Sequence, residues 1–233
     1  MKYSDMTIRR KTGAANRKVQ KLMNLMNMET VHVAWDFLKE NGLKALILKS
    51  KHKIQGIDDD YDYAEWWNLT KPSEEELEEQ KKKKFDYMPK FSIVIPVYKT
   101  PEKFLKEMLD SIVEQTYANW ELCIADGSPA GESVETVLKK YAEKDARIRY
   151  QVLGENRGIS GNTNAALEMA EGDFIVLADH DDRLTPNALF ECAKKLNENE
   201  NCDVLYSDED KLDMDGDELF DPHFKPDFNP DLL

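Results

Sequence analysis

The sequence predicts an α/β fold, a doubly wound and mostly parallel sheet, preceded by a small α-helical N-terminal region. Three observations predict it. Short apolar runs alternate with amphipathic stretches from Phe91 onward, which is the pattern of βαβ units. Two of these runs end on carboxylates, Asp126 and Asp179, and a parallel arrangement brings both to the sheet edge where open α/β folds bind ligands. Charge also divides the chain. Residues 1–56 hold twelve Lys or Arg and four acids, a net of +8, whereas residues 57–233 hold twenty bases and forty-two acids, for an overall net charge of −14.

Taken in order, Ala14 to about Lys53 reads as two basic, apolar-faced helices broken near Asn41-Gly42. Such a module either lies on an anionic membrane surface or packs as a hairpin on protein. Residues 57–86 read as a charged linker, with Ser73 placed to cap a helix over Glu74–Lys84. Phe91–Tyr98 is the first buried strand. Thr100 then reads as an N-cap with Pro101 at the first helical position, and the helix to about Gln115 places Phe104, Met108, Leu109 and Ile112 on one face. Trp120–Ala125 is the second strand, Glu132–Lys144 a helix, and Ile148–Leu153 the third strand. A turn at Asn156-Arg157-Gly158 precedes a helix from Ser160 to Ala170, and Phe174–Ala178 is the fourth strand.

That fourth strand runs directly into Asp179-His180-Asp181-Asp182. Acids so close together repel unless water screens them or a cation sits among them. Alone, the run also reads as a solvated acidic loop. At the end of a buried strand it suits Mn2+ or Mg2+ carrying a nucleotide diphosphate, since hard divalent ions take oxygen ligands and bridge phosphates.

The ordered set Ser92-Ile-Val-Ile-Pro-Val-Tyr98, Asp126-Gly127-Ser128, Asn156-Arg157-Gly158-Ile159-Ser160, Glu171-Gly172-Asp173 and Asp179-His180-Asp181-Asp182 resembles the nucleotide-binding half of a family 2 glycosyltransferase. The tail, with Tyr206-Ser-Asp-Glu-Asp-Lys211 and Phe224-Lys-Pro-Asp227, is similar to a bacterial subgroup that builds surface polysaccharides, rhamnosyltransferases among them. The resemblance covers residues 87–233 and implies a GT-A, Rossmann-like domain there. It implies that Pro96, Val97 and Tyr98 lie beside the nucleobase. Asp126 accepts a hydrogen bond from the base, although a cap on the following helix would use the same carboxylate. Arg157 reaches for base or phosphates. The resemblance also implies that Asp179 contacts the ribose and, with Asp181, forms the metal pair, while Asp182 stays close enough to hold a metal-bound water or the donor sugar. The family often has two acids at the Asp126 turn, where this chain has one.

The implied reaction moves a sugar from a UDP- or dTDP-linked donor to a glycan or lipid-linked acceptor, with inversion. The general base that takes the acceptor proton is expected beyond Leu233, so the chain reads as a donor-binding half truncated before its acceptor half. The alternative is a non-catalytic nucleotide-sugar-binding or assembly module of a larger synthase. Within the tail, residues 203–233 carry eleven acids and two lysines. Asp203–Ser207 reads as a further strand, and Phe220, Phe224 and Phe228, spaced by four, read as packed onto a sheet. His223, a lone histidine, reads as structural.

Other classes are excluded by what the sequence lacks. It has no G-x-G-x-x-G after a strand, which a dinucleotide enzyme needs, and no nucleic-acid motif on its acidic bulk. No apolar run is long enough to span a bilayer. With no apolar leader the chain reads as cytoplasmic, or peripheral on the inner face of the plasma membrane through residues 1–56. Cys123, Cys192 and Cys202 lack metal-ligand spacing and read as reduced thiols.

Overall fold

The computed structural model describes residues 63–216 and 218–227; the expected helices of residues 1–56 lie outside them. These residues form two compact units, one of residues 72–205 and one of residues 63–71 with 206–227.

The larger unit is the parallel sheet. Strands β1 (Phe91–Val97), β2 (Trp120–Asp126), β3 (Ile148–Val152) and β4 (Phe174–Leu177) run in the order β3-β2-β1-β4, every neighbouring pair parallel. The chain steps outward from β1 to β3 and then crosses back to place β4 on the free side of β1. The order therefore reverses between β1 and β4, the position at which open α/β sheets form their ligand crevice.

Both faces of β1 and β2 are covered, which is why these strands read as continuous apolar runs. On one face Phe91, Ile93, Ile95, Val97, Leu122 and Ile124 pack against α3 (Glu102–Val113) and α6 (Ala188–Glu198). On the other, Val94 and Ala125 meet Ala165 and Ala166 of α5 (Gly158–Leu167). A helix α4 (Glu135–Ala142) contributes Val137 and Leu138 to the first face.

The second face also carries a buried polar knot. The Glu121 carboxylate accepts from Ser92 Oγ at 2.6 Å, Lys90 Nζ at 2.7 Å, Arg149 Nη2 at 2.7 Å and the Glu171 N–H at 2.5 Å. Burial pushes its pKa up, but the bonds from Lys90, Ser92 and the Glu171 N–H outweigh that and hold it at about 2. Gly172 follows at a point with no room for a side chain, since a Cβ there would lie 2.5 Å from the Lys90 carbonyl. Asp173 accepts the Lys90 N–H at 2.7 Å. The Glu171-Gly172-Asp173 run is thus a clamp that delivers the chain into β4.

Helix α2 (Glu74–Lys82) begins with a capping box, Ser73 accepting from the Glu76 N–H while the Glu76 carboxylate accepts from the Ser73 N–H. In the smaller unit, α1 (Tyr63–Thr70) packs on an antiparallel hairpin of β5 (Glu209–Leu212) and β6 (Leu219–His223). Tyr63 and Trp66 stack at 5.6 Å, Phe224 meets Trp66 edge-on at 5.4 Å, and the Tyr63 hydroxyl donates to Asp210.

Several local expectations are corrected. Pro101 is extended (ψ 135), so α3 begins at Glu102, and Thr100 is buried with no partner for its hydroxyl instead of serving as a cap. Leu105 replaces Phe104 on the buried face of α3. Residues 203–207 have no regular structure. The strand pair forms later, around a turn in which Asp213 Oδ1 accepts the Gly216 and Glu218 N–H groups. Phe220 and Phe224 are 44% and 56% exposed, and Phe224 packs on the α1 aromatics; Phe228 lies outside the described residues. The expected linker over residues 57–86 contains α1 and α2, which fall in different units. All three cysteines are free thiols. Among the described residues no helix is long and apolar enough to cross a membrane.

Candidate functional site

A cleft of about 190 Å3 opens at the β1/β4 reversal. Pro96, Val97 and Tyr98 line it from the end of β1, Asp179 and His180 from beyond β4, and Asn156, Ile159 and Asn162 from the start of α5. Small-molecule sites enclose roughly 300–1,000 Å3, so this cleft takes a ring-sized part of a ligand and leaves the rest at its mouth. Tyr98, 39% exposed, and Ile159, 70% exposed, offer apolar surface there.

The β1 wall is held by the loop after β2. The Gly127 N–H donates to the Val97 carbonyl at 2.9 Å, and the Lys99 N–H donates to Ser128 Oγ at 2.8 Å. Lys99 has φ 52, a left-handed conformation that side chains rarely adopt. Its ammonium pairs with Glu132 at 2.9 Å and lies over the Tyr98 ring, 5.5 Å from the centroid.

Asp126 is fully buried and does not line the cleft. Its oxygens accept from the Ser128 N–H at 2.8 Å, the Ser133 hydroxyl at 2.6 Å and the Val134 N–H at 3.2 Å. The carboxylate thus ties down the loop ahead of α4, whose first turn carries no side-chain cap.

The α5 wall starts from Gly158, at φ 74, a conformation glycine adopts without strain. The Gly158 N–H donates to Asn156 Oδ1 at 2.9 Å and the Arg157 N–H to Asn162 Oδ1 at 3.1 Å. The Arg157 guanidinium is turned to Glu155 at 3.2 Å and does not line the cleft. Asn162 is 2% exposed and fills the space beside Gly127, where a Cβ would lie 2.5 Å from its Nδ2.

The acidic turn after β4 is open to solvent: Asp179, Asp181 and Asp182 are all exposed. The Asp182 N–H approaches the Asp179 carbonyl at 3.4 Å. His180 Nδ1 is buried without a hydrogen bond, 3.7 Å from the Asp181 carboxylate. Among the described residues no three His, Cys, Asp or Glu side chains gather into a protein-only metal cage. The donor set at the cleft is one of hard carboxylate oxygens, and it fits an ion that takes one or two carboxylates and fills its other positions with phosphate oxygens and water.

The structure thus brings Pro96, Val97, Tyr98 and Asp179 together, with Asp181 and Asp182 in the adjoining turn. It sets Asp126 and Arg157 outside the lining. Asn162, Ile159 and His180 line the cleft without having been singled out from the sequence. A polar Asn at an inward helical position was the available signal for the first of them.

Residues 92–226 match the model for Glycosyl transferase family 2. The uncharacterized protein y4gI of Sinorhizobium fredii is 42% identical over 145 residues, covering 62% of this chain and 16% of its own length. The O-antigen biosynthesis protein RfbC of Myxococcus xanthus is 33% identical over 172 residues, 74% of this chain and 13% of its own. The crystal structure of S. aureus TarS 1-349 in complex with UDP is 29% identical and covers 48% of this chain and 33% of that one, with a TM-score of 0.44. The chain spans less than a fifth of the length of those two curated relatives.

Proposed function

The chain belongs to glycosyl transferase family 2, and from that premise we propose that its cleft holds the donor of a glycosyl transfer in bacterial cell-surface polysaccharide synthesis. The donor is a UDP- or dTDP-linked sugar, and the acceptor a polysaccharide or lipid-linked glycan attacked with inversion. One observation carries the reading. The cleft lies where the strand order reverses, with an aromatic and apolar wall on one side and an acidic turn on the other, and both face the same ligand.

Pro96, Val97 and Tyr98 pack against the base. Asp179 and Asp181 hold Mn2+ or Mg2+, which when bound offsets the charge gathered by the leaving diphosphate. Asp182 faces the donor sugar. The Arg157 guanidinium, paired among the described residues with the exposed Glu155 carboxylate, exchanges it for a phosphate. The acceptor proton passes to a carboxylate outside this donor cleft. The +8 of residues 1–56 suits a peripheral place on the anionic inner face of the membrane, where lipid-linked acceptors are reached from the cytoplasm.

Calorimetric titration with UDP, dTDP and GDP, each with Mn2+ and with EDTA, tests this. Metal-dependent binding of one nucleotide is expected. Binding of none would leave the domain as a non-catalytic assembly module.

A further inference from the structure

We propose that Asn162 is a positioning residue of the donor cleft, acting through Arg157; this rests on the donor reading above. Asn162 is a carboxamide at 2% exposure, and a buried polar group is stable only where each of its atoms finds a partner. Both do. Oδ1 accepts the Arg157 N–H at 3.1 Å, and Nδ2 donates to Asn156 Oδ1 at 3.1 Å. Asn156 Oδ1 in turn accepts the Gly158 N–H at 2.9 Å. Backbone N–H groups can only donate, so the two of them fix the orientation of both amides. The position needs one acceptor and one donor a single carbon from Cβ. Aspartate lacks the donor, leucine lacks both, and glutamine is a methylene too long.

The consequence is a rigid backbone beneath a free-ranging head. A Cβ at Gly161 would lie 2.6 Å from Arg157 Cβ, so Arg157 is seated on α5 as well as bonded by Asn162. Among the described residues its guanidinium meets Glu155, at 3.2 Å, with both side chains about half exposed or more. A solvent-screened pair of that kind contributes little and yields readily to a phosphate, which takes the planar guanidinium bidentately. Asn162 therefore sets the root from which Arg157 reaches the diphosphate, and the same amide forms part of the cleft lining.

The test is a double-mutant cycle on nucleotide affinity. Wild type, Asn162→Ala, Arg157→Ala and the double variant are titrated with UDP, dTDP and GDP in Mn2+, each below its own melting temperature. Each single change is expected to weaken binding about tenfold, and the double variant to bind no worse than either single. Hydrogen exchange at the Arg157 amide is expected to quicken in Asn162→Ala. Should that variant not fold, the isosteric Asn162→Asp, which keeps the acceptor and loses the donor, takes its place in the cycle. Effects that multiply to about a hundredfold, or an Asn162 variant with wild-type affinity, would overturn the role of Asn162 alone. A wild type that binds none of the three nucleotides would overturn the donor reading, and this one with it.

Discussion

The Lys90 ammonium stands 2.7 Å from the Glu121 carboxylate, which is 4% exposed and also holds Arg149, Ser92 and the Glu171 N–H. That one carboxylate ties β1, β2, β3 and the approach to β4 together, so its ionisation is linked to folding. The folded-state pKa of about 2 lies below the ordinary 4.5. Its contribution is therefore present above pH 4.5 and is lost as pH falls from 4.5 towards about 2, for a total of about 3 kcal/mol. Urea unfolding at pH 7 and at steps below pH 5 should show this loss in wild type and a flatter profile in Glu121→Gln. Identical profiles would remove Glu121 as the source.

Gly172→Ala should destabilise by about 1–3 kcal/mol. The added methyl would lie 2.5 Å from a backbone carbonyl and 2.7 Å from Ser92 Oγ, and backbone cannot move aside cheaply. An unchanged denaturation midpoint would show that β4 can shift to accommodate it.

Asp181→Asn should abolish metal-dependent nucleotide binding while changing stability by no more than about 0.5 kcal/mol, because the side chain is 57% exposed. Calorimetry paired with thermal unfolding decides it. Retained affinity in Mn2+ would take Asp181 out of the metal pair.

Asp126→Ala separates two roles for one carboxylate. Two backbone N–H groups and a hydroxyl lose their acceptor, at a cost of about 1–3 kcal/mol, so the melting temperature should fall. Weaker nucleotide binding at full stability would instead mean that the carboxylate reads the base.

Lys99→Gly should leave stability unchanged or raise it by up to about 1 kcal/mol. Glycine adopts the φ of 52 without strain, and the exposed Glu132 pair that is lost contributes little. A clear loss of stability would show that the Lys99 ammonium or its contact with Tyr98 holds the loop.

How much of this was legible follows from what each signal depends on. All four strands were: β1 and β2 because residues buried on both faces leave unbroken apolar runs such as Phe91–Val97, and β3 and β4, which are only partly buried, through their short apolar patterns. The acids that follow the second and fourth runs marked the ligand edge. The start of α3 was not: Thr100-Pro101 carries a capping signature that the extended Pro101 overrides. The 203–207 segment failed for a related reason. Its apolar run Val204-Leu205-Tyr206 is real, but the hairpin register is set by the Asp213–Gly216 turn further on. In the site, residue type pointed to Tyr98 and Asp179. The orientation of Asp126 towards its own loop and the burial of Asn162 depend on chain segments brought together only by the fold.

The contact between Gly127 and Asn162 also constrains the route by which this cleft could change. A methyl at position 127 would lie 2.5–2.9 Å from the Nδ2, Oδ1 and Cγ atoms of Asn162, so the amide would have to shift against its bonds to the Arg157 N–H and Asn156 before a side chain fits there. A lineage or library that reshapes the turn after β2 therefore meets the lower barrier by shrinking residue 162 first and enlarging residue 127 afterwards. The reverse order passes through a molecule whose two cleft-forming segments are strained against each other.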